Sequence, residues 1–193
     1  LVWSLWLGSL VLGYLTLLSA ILGGAWAMMH IPGFGNNGPR RQMPTVVAGI
    51  GMGLFLLGFF SLHFCGFHAG HSVFLRQFFP VEGMPQEGFG AAFMNPPLLW
   101  SLAFKHLVRP YGIFLLPALI VERKHVFGPF IQAVHMINNR ETGDGSGADP
   151  KIRAQNFFGN AMGRPYINVV RMHLLIFFFA FSHAMKLDSF LIY

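Results

Sequence analysis

Three histidines stand in one apolar stretch, Leu62-His63-Phe64-Cys65-Gly66-Phe67-His68-Ala69-Gly70-His71-Ser72. On a helix turning ~100° per residue they fall within one half of the surface. Neutral imidazole is a common ligand for zinc, copper, iron and nickel, and ionisable groups inside a membrane segment are functional candidates by default. His68 and His71, three residues apart, can share one metal on a helix, whereas His63 is more than one turn away and needs help from another segment. Two readings stay open: a cofactor site at His63, His68 and His71 for a metal, a haem or a chlorophyll-type pigment, or a set of hydrogen bonds across closely packed helices. Cys65 can ligate metal as a thiolate, but an isolated cysteine in apolar surroundings reads first as packing.

A second polar set lies near the end of the chain. Arg171 and His173 are followed by His183, about 15 Å further along a helix axis at ~1.5 Å per residue, so one metal cannot be bound by both histidines on a straight helix. Arg171, His173 and His183 are therefore expected as polar core positions, with Arg171 either snorkelling to the interface or paired with a carbonyl, a lipid phosphate or another subunit. Lys105 and Arg109, four residues apart, face one side of any helix there. They are expected to meet lipid headgroups or the membrane interface.

The elements that must position these groups follow from composition. The 193 residues are 54% hydrophobic and 10% charged, with 22 phenylalanines and 7 acids. A soluble domain normally carries about a quarter charged residues, so the chain belongs in a bilayer. The net charge of +6 is no argument for nucleic acid, because its basic residues cluster between apolar runs at Arg40-Arg41, Arg123-Lys124 and Lys151 to Arg164, the pattern that orients helices. The lipid bilayer and other membrane subunits are the expected partners.

The expected fold is all-α, a polytopic transmembrane helical bundle forming one domain over residues 1–193 with about four membrane segments. Residues 1–29 are uncharged and long enough to cross a core that needs ~20 helical residues. Trp3, Trp6 and Trp26 lie near the ends of this run, where aromatic rings favour the interface. Breakers from residue 30 to 44 predict a loop, and 45–75 the second span. Within it Gly66 and Gly70 form a small-xxx-small pair ~110° from the middle of the histidine arc, which predicts one face for packing and a separate one for imidazoles. Prolines 80, 85, 96 and 97 predict a loop over 80–97. Residues 98–121 are apolar but interrupted by Pro110 and Pro117, which allows a span kinked at Pro110 or a re-entrant segment; the kinked span is the expectation. Residues 126–136 read as an interfacial piece, 137–160 as a loop, and 165–186 as the last span, opening at Pro165. The positive-inside pattern places loops 30–44 and 122–164 in the cytoplasm of a bacterial inner membrane. The chain opens on Leu1 and closes on Leu191-Ile192-Tyr193, and is expected to continue beyond both ends.

Two blocks carry a resemblance. Phe60-Ser61-Leu62-His63-Phe64-Cys65-Gly66-Phe67-His68-Ala69-Gly70-His71 and Val169-Val170-Arg171-Met172-His173-Leu174-Leu175-Ile176 resemble a family of uncharacterised bacterial membrane proteins. In that family the first block looks like His-Tyr-Gly, a phenylalanine two residues on, and a second histidine eight residues after the first. His63, Phe67 and His71 match; Phe64 and Cys65 replace Tyr-Gly, and His68 is an extra. The resemblance thus implies His63, His71 and, more loosely, His173. It brings no activity with it.

Nucleophile elbows, phosphate-binding glycine loops, HExxH motifs and paired intramembrane carboxylates are absent from the sequence. The expectation is a non-catalytic accessory or structural subunit of a larger membrane complex. The alternative is a metal- or haem-binding redox protein, or a pigment-binding subunit of a photosynthetic complex.

Overall fold

The computed structural model describes residues 2–30, 39–87, 89–141 and separate positions between 167 and 185. It is 89% helical, with no strand among the described residues. Three helices are long and apolar enough to cross a membrane: Val2–Trp26, Ile50–Phe78 and Pro96–His135. The all-α bundle read from composition is therefore the fold. The expected fourth span, 165–186, lies largely outside the described residues, although Ile167, Val170, Arg171 and Phe177 to Phe179 are helical.

Helix α1 runs Val2–His30 and α2 Pro39–Phe78, so α2 begins inside the stretch expected to be a loop. The connection to the third apolar helix holds a left-handed glycine, Gly83 at φ 72°, and a 3-10 turn at Gly90–Ala92. Helix α3, Pro96–Ala103, starts two residues before the expected span. Its signal is Asn95-Pro96: the Asn95 side chain accepts from Leu98 N–H at 3.1 Å, and proline at the first position gives up only a donor with no intrahelical partner.

The kink at Pro110 takes a specific form. A π turn at Phe104–Val108 leads into α4, Arg109–Tyr111, then a 3-10 turn at Gly112–Phe114, then α5, Leu115–Glu141. Proline lacks a donor and its ring crowds the carbonyl four residues back, so widening before it and tightening after it carries the helical path past the ring. Helix α5 also corrects the separate interfacial piece expected at 126–136. It passes through Pro129 unbroken, and the next amide, Phe130 N–H, donates to Ser19 Oγ of α1 at 3.3 Å, as neighbouring helices do where proline disturbs a transmembrane ladder.

Two compact units are distinguished: Leu1–Gly13, Phe59–Val121 and Tyr166–Tyr193 in one, Tyr14–Gly58 and Glu122–Pro165 in the other. In the second, α1 and α5 meet backbone to backbone at Gly23, where a methyl group would lie 2.9 Å from Phe130 Cα and 3.2 Å from Ala133 Cβ. Only glycine permits that approach.

The first unit is built on aromatic rings. Trp3 and Trp6, near the start of α1, are buried there. Their centroids lie 5.9 Å apart, edge to face, and Phe89 from the connection packs 5.3 Å from Trp6. Each indole finds an acceptor: Trp3 Nε1–H donates to Phe79 O at 2.8 Å and Trp6 Nε1–H to His68 O at 3.0 Å. Burying tryptophan requires such a partner; the C-terminal half of α2 supplies one and the residue just after the helix the other.

Candidate functional site

The candidate site lies within the first unit, on α2. Its three histidines divide into two environments. His68 is fully buried, with Phe64 at 4.3 Å and Trp6 at 5.5 Å between ring centroids. Its Nδ1 stands 3.0 Å from the Phe64 carbonyl oxygen and its Nε2 3.3 Å from Ser9 Oγ. A carbonyl can only accept, so Nδ1 carries the proton and Nε2 accepts from the serine hydroxyl. Nδ1 thus ties the ring to its own helix, and Nε2 serves the contact between α1 and α2.

His63 and His71 face elsewhere. Together with Leu62, Gly66, Phe67, Gly70 and Phe93 they line an open depression of about 380 Å³. His63 is exposed, stacked on Phe59 with planes 11° apart. His71 is 8% exposed. Phe67 stands between the two, 4.9 Å from the His63 ring and 6.5 Å from the His71 ring. The imidazole centroids are therefore at most ~11 Å apart, in keeping with the ~12 Å that eight residues of helix rise.

The glycines make this space. Gly66 approaches the Phe93 carbonyl, 3.4 Å from where a methyl group would sit, while the same position at Gly70 meets nothing within 4 Å among the described residues. This corrects the expectation of separate faces for packing and for imidazoles: Gly66 and Gly70 line the same depression as His63 and His71. The reason is that the connection after α2, not another long helix, folds back over Gly66. Ser72 anchors that fold-back by accepting from Phe89 N–H at 3.3 Å while donating to Ala69 O at 2.7 Å.

Among the described residues no three His, Cys, Asp or Glu side chains are grouped to hold a metal ion. His68 and His71 have ring centroids 6.2 Å apart, but His68 commits both nitrogens elsewhere, so the pair expected to share a metal is divided. Cys65 is buried and does not line the depression. Lys105, in the π turn, and Arg109, just after it, are both exposed. Arg171 is exposed, whereas His173 and His183 lie outside the described residues. The residues missed from sequence are Trp6, Ser9, Ser72 and Phe93. Of these only Ser72 carried a signal, as a hydroxyl next to His71 on a helix otherwise short of donors.

Fold and site together define an all-α bundle with three helices of membrane-crossing length and composition, carrying a two-histidine depression on the second. The chain belongs to a family of unknown function, DUF6498, whose model matches residues 1–117. That match takes in every residue of the depression. No curated protein and no solved structure matches the chain.

Proposed function

We propose that this chain is a non-catalytic integral membrane protein that serves as an accessory or structural subunit of a larger membrane complex. The observation that carries the reading is the bare surface of α2. Within the candidate span Ile50–Phe78 only 22% of an apolar 18-residue window is buried, and just N-terminal to its histidines Gly51 and Gly58 are exposed with nothing within 4 Å of a would-be methyl group among the described residues. Glycine in a helix interior costs about 1 kcal/mol relative to alanine. Lipid returns none of that, whereas a second helix approaching closely does. Gly51 and Gly58 are seven residues apart, so they share one face.

The resemblance of the His63 to His71 and Arg171 to His173 blocks supports a bacterial inner membrane as the location. The basic residues of 30–44 and 122–164 favour the cytoplasmic side for those segments. The helical segment 96–135 is longer than the ~30 Å core requires, so Arg123, Lys124 and His125 leave the hydrocarbon together.

The test is extraction of the tagged chain from its native membrane into lipid nanodiscs, followed by native mass spectrometry. Other membrane subunits should accompany it in fixed ratio, and Gly58→Leu should reduce their recovery at least tenfold while the chain itself still inserts. Recovery as a monomer with turnover of its own overturns the reading. The alternative, a metal, haem or chlorophyll-type pigment, rests on His63 and His71 alone, because His68 is engaged by Phe64 and Ser9. An absorption spectrum with elemental analysis of the same sample decides it: a Soret or pigment band, or stoichiometric metal, lost in His71→Ala, supports this alternative.

A further inference from the structure

We infer that Lys105 and Arg109 hold the phosphate of an anionic phospholipid whose acyl chain lies along Ile113, Leu116 and Ile120. This inference is independent of the assembly proposed above, because it concerns a bound lipid and no second subunit.

The level of the two cations follows from the path of the chain within the first unit. After α2 ends at Phe78, the connection runs back along the same helix. Phe89 N–H donates to Ser72 Oγ, a methyl group on Gly90 would lie 3.2 Å from Val73, and one on Gly66 would lie 3.4 Å from the Phe93 carbonyl oxygen. From Phe78 back to Gly66 is about 18 Å of helix at ~1.5 Å per residue. Ser72 and Gly66 both belong to the candidate span Ile50–Phe78, so the returning backbone sits at membrane depth, where irregular chain is tolerated if it is buried in protein. Phe89 and Ala92 are buried. The chain then reverses at Asn95, which caps α3, and climbs again: a methyl group on Gly83, in the connection beyond α2, would lie 4.0 Å from His106 Nδ1. Pro96 to His106 rises about 15 Å, close to the depth of the descent. Residues 79–106 thus form a re-entrant hairpin, and Lys105 and Arg109 stand where it emerges, at the head-group level by the end of α2.

The helical path turns these cations outward. Ala103 and Leu107 are fully buried, whereas Lys105 and Arg109 are exposed. Among the described residues neither cation is in an ion pair. Side chains one turn apart have Cβ atoms ~5–6 Å from each other, so a guanidinium fork and an ammonium can both reach the oxygens of one phosphate. A zwitterionic head group brings its own cation to the same place. Two positive charges therefore favour a head group with net negative charge.

The apolar half of the site continues from the charged half. Counted from Arg109, residues 113, 116 and 120 recur at the spacing of one helix side, and Ile113, Leu116 and Ile120 are all exposed. Donors at one end of a bare apolar face match both ends of a phospholipid. Free phosphate would use only the first.

The experiment is titration of the full chain in neutral detergent micelles with phosphatidylglycerol or phosphatidylcholine, with bound lipid counted by native mass spectrometry. One phosphatidylglycerol per chain is expected, held at least tenfold more tightly than phosphatidylcholine. Lys105→Gln with Arg109→Gln should abolish that preference, while Lys105→Arg with Arg109→Lys, which separates loss of charge from loss of fold, should keep it. Arg123→Gln with Lys124→Gln removes the same charge from another basic pair and should leave the preference within about twofold. Ile113→Ser with Leu116→Ser should weaken phosphatidylglycerol severalfold, and glycerol phosphate in large excess should not displace it. Equal affinity for the two lipids, a preference unchanged in Lys105→Gln with Arg109→Gln, an equal loss in Arg123→Gln with Lys124→Gln, or displacement by glycerol phosphate each overturns the inference.

Discussion

His68 and His71 are three residues apart on one helix and have opposite surroundings. Around His68, α1 brings Trp6 and Ser9, so the imidazole becomes a structural cross-brace with both nitrogens engaged. Around His71 and His63, no long helix among the described residues closes the space; Phe93 covers Gly66, leaving a depression. The difference teaches that histidine spacing on a helix says less about chemistry than what the neighbouring chain delivers to each face. An imidazole flanked by a carbonyl and a hydroxyl is consumed by packing. One flanked by glycines is left facing a cavity.

The packed side should be the sensitive one. His68→Ala is expected to have the largest effect, because it removes a buried ring from between Phe64 and Trp6 and leaves Ser9 without its acceptor. Cavity formation and lost hydrogen bonds together should destabilise by about 2–4 kcal/mol. Reversible unfolding in mixed micelles measures this, and a change below about 0.5 kcal/mol would remove the distinction between the two sides.

Gly13→Ala comes next. The Phe64 ring occupies the space where a methyl group would go, and that ring cannot swing aside freely because it stacks on Phe60 at 4.6 Å and abuts His68. Overpacking of this kind costs about 1–3 kcal/mol. The same unfolding assay should show it, with Trp6 fluorescence reporting the shift of the α1 and α2 contact.

Ser72→Ala should be milder. It deletes one donor to Ala69 O and one acceptor for the buried Phe89 N–H, worth about 0.5–2 kcal/mol where hydrogen bonds within membranes are of modest strength. Its signature is local. Hydrogen exchange should rise at Phe89 and along Gly90–Ala92 while α1 stays protected.

The bundle was legible because its signals are long. Twenty-nine uncharged residues admit no other reading than a membrane-length helix, and the run containing the histidines is equally plain. What was illegible depends on residues far apart in sequence. Nothing local marks Trp6 as buried; its acceptor is His68 O, 62 residues away. Likewise Ser9, whose hydroxyl faces His68 Nε2, lies 59 residues before it. The hydroxyl that meets α5 just after Pro129 belongs to Ser19, 111 residues before the amide it accepts from. The start of α3 was the exception, since Asn95-Pro96 is a local capping signal that the neighbouring prolines obscured.

Gly70→Ala sharpens the comparison from the open side. Gly13 and Gly70 are both helical glycines, and on the packed side alanine must collide with a ring. At Gly70 the added methyl meets nothing within 4 Å among the described residues, so no clash arises with them, while the unfolded chain loses some of the freedom that makes glycine costly in a helix. The expected result is a stabilisation of up to about 1 kcal/mol. A destabilisation of that size would mean that the depression is filled by close-packed protein, and the contrast between a braced His68 and an open His71 would have to be given up. Thermal unfolding of Gly13→Ala and Gly70→Ala side by side, in the same lipid, tests the sign of each and therefore the difference between the two faces of α2.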